Sequence, residues 1–163
     1  QFITEQLIRF GLAQIEAGAD LIAISDPSGT GEILGPKLFQ EFAVTYINLL
    51  VDTLREAGAD TIVHICGQMS PVYQQVRQIH SHALSFDSVV SIREAKEQLA
   101  GRVIMGNVST YALEFGEPSK IRQLTEGCVR QGADILSPAC GLGMKSPLKN
   151  IQTILKSLTE EEE

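Results

Sequence analysis

One phrase recurs along the chain and limits its fold more than any other feature. An amphipathic helix runs into a small-residue stop, then an Asp or Arg, then a short apolar run rich in β-branched residues. The first instance is "FITEQLIRFGLAQIEA" followed by Gly18 and "DLIAISD"; "REAGADTIVHICG", "QLAGRVIMGNV" and "RQGADILSPACG" repeat it, and "IHSHALSFD" does so more loosely. The pattern predicts strands near 20–26, 61–66, 83–87, 102–108 and 134–139, and helices near 2–17, 36–57, 70–80, 91–100, 117–131 and 147–158. Strands alternating with amphipathic helices form βαβ units, because parallel neighbours need a long crossover between them. The class is therefore α/β with a parallel sheet.

Five such units are too few for a closed eight-stranded barrel of about 250 residues, which leaves an open doubly wound sheet or most of a barrel without its front end. The chain starts at Gln1 and enters directly into a helix, as a cut between two units would leave it. In both architectures the functional groups collect at the carboxyl ends of the strands. The polar residues at those ends are Asp26, His64 with Cys66, Asp87, Asn107 and Cys140.

In "TIVHICGQ" (61–68) the alternation of a strand turns His64 and Cys66 to one face and Ile65 to the other. A catalytic zinc site takes imidazole and thiolate ligands and keeps one position open. His64, Cys66 and Cys140 supply three such ligands, and Gly67 and Gly141 allow sharp turns beside them. The bland alternative is that Cys is often a small buried hydrophobe. Cys128, in mid-helix, is read that way, and His80 and His82 as residues of a helix end and the following turn. Asp87 is a candidate fourth ligand, an acceptor orienting His64, or a substrate contact; as a helix cap it competes with Ser88 and Ser91. Asp26 precedes Pro27 and the "SGTGE" loop, where a turn role competes with a catalytic one.

Two thiolates make zinc a poorer activator of water but suit it to a third thiol, which the metal holds deprotonated. The chemistry expected is transfer of a methyl group to that thiol. Three cysteines form no disulfide framework and fit a reducing compartment, so the expected location is the cytoplasm. The formal charge of −7 includes four negatives from Glu160 to Glu163, leaving −3 for the rest. Without a basic stripe there is no footprint for nucleic acid, and no apolar run reaches the roughly 18 residues of a membrane span.

"DPSGTGEILGPKLFQEF", "TIVHICGQ", "LSFDSVVSIREAKEQLAGRVIMGNVST" and "GADILSPACGLGMKSPLKNIQTIL" resemble the carboxyl-terminal part of the uroporphyrinogen decarboxylase superfamily, and within it the methylcobamide:coenzyme M methyltransferases. The resemblance runs through nearly the whole chain. It implies the last five βα units of a TIM (β/α)8 barrel in residues 1–159, with 160–163 an acidic tail. Members of the branch bind zinc through His-x-Cys and a later Cys, positions that fall on His64, Cys66 and Cys140. Cobalamin-independent methionine synthase is similar in its zinc logic, with an acidic ligand that falls at or near Asp87.

The implied reaction moves a methyl group from a corrinoid on a partner protein to coenzyme M. The sulfonate of coenzyme M would meet backbone N–H groups and Lys145 in the turn "GLGMKSP", with Gly141, Gly143, Lys145 and Ser146 contributing and Ser146 capping the next helix. A relative of uroporphyrinogen decarboxylase itself, or a methyltransferase with a tetrahydrofolate acceptor, is the alternative. An incomplete barrel exposes a strand edge, so a homodimer or pairing with a missing piece is also expected.

Overall fold

The computed structural model describes residues 1–159, and the acidic tail expected at 160–163 lies outside the described residues. Three of the recurring phrases close in the same way. Gly18, Gly58 and Gly132 take φ of 101°, 93° and 92°, the left-handed region that glycine enters without a Cβ penalty. At the first of them, Gly18 N–H donates to the Ile15 carbonyl and Ala19 N–H to that of Gln14. Gly58 with Ala59 and Gly132 with Ala133 repeat the pair of bonds. This is the Schellman closure of a helix, and it satisfies the last carbonyls while turning the chain into the next strand.

In chain order the elements are α1 (Phe2–Glu16), β1 (Leu21–Asp26), α2 (Gly31–Leu38), a π-helical stretch (Phe39–Val44), α3 (Thr45–Glu56), β2 (Asp60–Ile65), a 3₁₀ turn (Ser70–Val72), α4 (Tyr73–Val76), β3 (Ala83–Phe86), α5 (Ile92–Gln98), β4 (Val103–Met105), α6 (Thr110–Phe115), α7 (Pro118–Arg130) and α8 (Leu148–Thr159). Four parallel strands follow one another in the sheet in the order β1-β2-β3-β4, with helices between them. The fold is α/β, as expected. Packing divides the chain into two compact units, Gln1–Leu84 and a second beginning at Ser85.

In the first unit β1 and β2 pair in parallel, and Ile22, Leu50, Leu54 and Ala59 form a core against Ile8, Ile15, Ala19 and Ile24. The helix expected at 36–57 begins earlier, at Gly31. It kinks at Gly35 (φ 64°) before Pro36, then widens through the π-helical stretch, where the Thr45 hydroxyl donates to the Gln40 carbonyl at 3.0 Å. The helix expected at 70–80 is cut to a short turn and α4. The Asn48 side chain takes over downstream, donating to the Gln78 carbonyl (2.7 Å) and accepting from His80 N–H (2.9 Å).

In the second unit Val108, Leu113, Ile121, Cys128 and Ile154 form a core. The strand expected at 134–139 is reduced to isolated parallel bridges, Met105 with Ile135 and Val108 with Pro138. Bonds to the preceding strand persist, from Gly106 N–H to the Ile135 carbonyl, Val108 N–H to that of Ser137 and Ala139 N–H to that of Val108, but the Asp134 carboxylate, rather than a backbone carbonyl, accepts from Ile104 N–H at 2.7 Å. The sequence also placed no helix where α6 lies, although Ser109 caps it by accepting from Ala112 N–H at 3.3 Å.

Asp134 is held below the usual carboxylate range, first by the Ile104 N–H and then by Lys96, whose ammonium lies 2.8 Å away. A depressed folded-state pKa contributes stability above the unfolded value of about 3.9 and loses it as pH falls through the folded value. Asp134→Asn is expected to lower stability at pH 7 and to flatten the loss between about pH 5 and pH 2, as followed by thermal unfolding across that range.

Candidate metal centre

Parallel pairing sets Ser25 opposite His64 and Asp26 opposite Ile65, so β1 and β2 end at the same level and their loops leave side by side. Ile65 is fully buried, while His64 and Cys66, on the other face, are partly exposed. Their donor atoms, Nε2 and Sγ, stand 3.4 Å apart. Zinc with an N bond of about 2.0–2.1 Å and an S bond of about 2.3 Å, at a tetrahedral angle, needs the two donors about 3.6 Å apart. The pair fits one ion with little movement.

The loop leaving β1 packs on the turn that follows Cys66. Asp26 Oδ1 accepts from the N–H groups of Ser28 (3.1 Å) and Gly29 (2.8 Å), so this carboxylate shapes its own turn. Gly31 N–H donates to the Gln68 carbonyl at 3.2 Å, and Gln68 N–H donates back to Glu32 Oε2 at 2.7 Å. Between them Gly67 takes φ of 75°, and a Cβ there would lie 2.8 Å from Glu32 Oε1 and 2.9 Å from Thr30 Cβ. Thr30 is buried against this turn, and among the described residues its hydroxyl has no hydrogen-bond partner.

His80 and His82 serve structure in this unit. His80 Nδ1 lies 2.9 Å from Asp52 Oδ1. Thr61 N–H donates to His82 Nδ1 at 3.0 Å, which puts the proton of the neutral ring on Nε2, 3.3 Å from Asp60.

In the second unit Asp87 Oδ1 accepts from Val89 N–H (3.2 Å) and the Ser88 hydroxyl (3.3 Å), closing a turn. The helix cap is Ser91, which accepts from Glu94 N–H. Asn107 is buried, and its Nδ2 donates to the carbonyls of Asp87 (2.9 Å) and Val90 (2.8 Å). Its backbone N–H points at Cys128 Sγ, 3.5 Å away, and burial pushes that thiol's pKa up. Cys128 is thus the core thiol the sequence indicated, and Asn107 organises the Asp87 turn from beneath.

Cys140 is exposed. In the turn after it, Ser146 N–H donates to the Gly143 carbonyl at 3.0 Å. The Ser146 hydroxyl is buried without a partner among the described residues and does not make the expected cap; α8 starts beyond it, at Leu148, with Asn150 N–H donating to the Pro147 carbonyl. The Glu114 carboxylate closes against Gly143. That places negative charge where the sequence suggested an anion, leaving the exposed Lys145 as the cationic group of this turn.

Sequence reasoning missed Thr30 and Glu32. An acid in the first turn of a helix reads as a partner for the helix dipole, and nothing nearby points to Gln68, 36 residues on.

With strand–helix units in this order, the class is that of part of a (β/α)8 barrel. A methyltransferase from Methanosarcina mazei of known structure superposes with a TM-score of 0.89 at 29% identity, covering 96% of this chain and 47% of that one. The uroporphyrinogen decarboxylase (URO-D) family model matches residues 1–161, and the chain belongs to that family. It is 28% identical over 156 residues to the methylcobamide:CoM methyltransferase MtbA of Methanosarcina acetivorans, covering 95% of this chain and 46% of the relative. It is likewise 28% identical to MtaA, the methylcobamide:CoM methyltransferase of Methanosarcina barkeri, over 160 residues. The chain thus spans about half the length of the curated relatives it matches.

A buried hydroxyl without a partner costs about 1–3 kcal/mol relative to one that is bonded. Thr30→Val, which keeps the shape, is expected to raise stability by about 1 kcal/mol, read as a higher urea midpoint at unchanged slope.

Proposed function

We propose that the chain carries the metal-holding part of a zinc-dependent methyltransferase that moves a methyl group from a corrinoid on a partner protein to a thiol such as coenzyme M. The observation that carries this reading is the His64–Cys66 pair, spaced at 3.4 Å for one tetrahedral ion at the end of β2. It is supported by relatives named as methylcobamide:CoM methyltransferases. The donor set also supports it: His64, Cys66 and Cys140 are, among the described residues, a group of the kind and number a catalytic zinc takes.

In this reading His64 Nε2 and the thiolates of Cys66 and Cys140 hold the metal. Zinc bound there supplies a Lewis acid that keeps an incoming thiol deprotonated at neutral pH, where a free thiol of pKa about 8.5 is mostly protonated. The two cysteines, Cys66 and Cys140, would make a metal held there better suited to a thiol than to activating water. Asp87, held in its turn by Asn107, is kept as a fourth ligand, an acceptor for His64 or a substrate contact. Asp26 keeps the β1 loop in shape, and Lys145 is the cation offered to the sulfonate. Cysteine ligands outside any disulfide suit a reducing compartment, and we place the protein in the cytoplasm.

Purified protein is expected to hold one zinc per chain, measured by inductively coupled plasma mass spectrometry after dialysis. Cys66→Ala and Cys140→Ala are each expected to lose it. Full zinc retention by both variants, or none in the parent, contradicts the assignment.

A further inference from the structure

The residues between Ile65 and Met69 hang from two fixed points, since both of those side chains are fully buried. What lies between them, Cys66-Gly67-Gln68, takes its orientation from the loop packed on it. Glu32 makes the shorter of the two bonds to Gln68: its Oε2 accepts from Gln68 N–H at 2.7 Å, a charge-assisted bond to the backbone two residues beyond Cys66. Its other oxygen stands against Gly67, 2.8 Å from where a Cβ would be. The return bond from Gly31 N–H to the Gln68 carbonyl makes the grip reciprocal, and a Cβ on Gly31 would lie 2.5 Å from that same oxygen.

Glu32 is exposed, and a carboxylate in that position ordinarily stays solvated and free to rotate. Here it gives up that freedom to hold one turn, within a loop that also buries an unpartnered Thr30 hydroxyl.

We propose that Glu32 is a positioning residue for the metal pair: by fixing the Gly67–Gln68 turn it sets where the Cys66 thiolate points, and therefore how tightly the ion is held. It acts through the backbone of Gln68. This rests on the metal reading above, and the two can fail separately.

The test titrates cobalt(II) and zinc into the parent chain, Glu32→Gln and Glu32→Ala, with chelator competition for affinity and cobalt absorption for ligand geometry. Thermal unfolding of the metal-free proteins is measured alongside. Removing a group that orients a ligand weakens a metal by roughly 10- to 100-fold. That loss is expected for Glu32→Ala, with a shifted thiolate-to-cobalt band and only a small drop in the metal-free midpoint from the lost bond, while Glu32→Gln, which keeps an acceptor oxygen, retains most of the affinity. Unaltered affinity and spectrum in Glu32→Ala overturn the positioning role alone. A matching drop in the metal-free midpoint also overturns it, because a general loosening of the loop then accounts for the loss. A parent that binds neither metal overturns the metal reading, and this proposal with it.

Discussion

Parallel pairing of β1 with β2 is the constraint on which the rest of the candidate centre depends. A strand presents alternate residues to opposite faces, and a slip of one position would exchange them. The register that sets Ser25 opposite His64 therefore decides three things together. It puts His64 and Cys66 on one face, sends Ile65 into the core, and ends both strands where their loops can bond to each other. The glycine closures of α1 and α3 enforce that register, because each stops its helix at a fixed distance from the strand that follows. Asp60 N–H then donates to the Asp20 carbonyl at 3.0 Å, and the pairing begins.

The chemistry follows from the donors so placed. An imidazole and a thiol at 3.4 Å are neighbours suited to one ion. Around them the first unit supplies support that carries no reactive group of its own: the Asp26 turn, the Gly31–Gln68 bond and the Glu32 carboxylate. The second unit builds a comparable support from Asn107, which joins the Asp87 turn to the buried Cys128. Both are hydrogen-bonded turns at strand ends, the positions where α/β folds carry function.

Much of this was legible in the sequence because it is local. The stop phrases marked helix ends and strand starts, since a left-handed glycine after a helix has few alternatives. The His-x-Cys face followed from the strand period, and Ser91 stood among the expected caps. What was not legible depends on partners distant in the chain. The bond of Glu32 to Gln68 spans 36 residues. The Asn48 bracket that shortens the helix after Pro71 spans 30 or more. The reduction of the fifth strand to bridges goes with the Asp134 carboxylate taking the Ile104 N–H, again a contact across 30 residues. Ser146 was expected to cap α8 because Ser before Pro is a common helix start; α8 begins beyond it, and its hydroxyl is left buried.

The His64–Cys66 pair is proposed as part of an open zinc site that accepts a thiol. Zinc K-edge X-ray absorption of the zinc-loaded protein, with and without coenzyme M, tests it most directly. A nitrogen-and-sulfur shell that gains one sulfur at about 2.3 Å on addition of coenzyme M is expected. A shell already complete with protein ligands and unchanged by the thiol would contradict it.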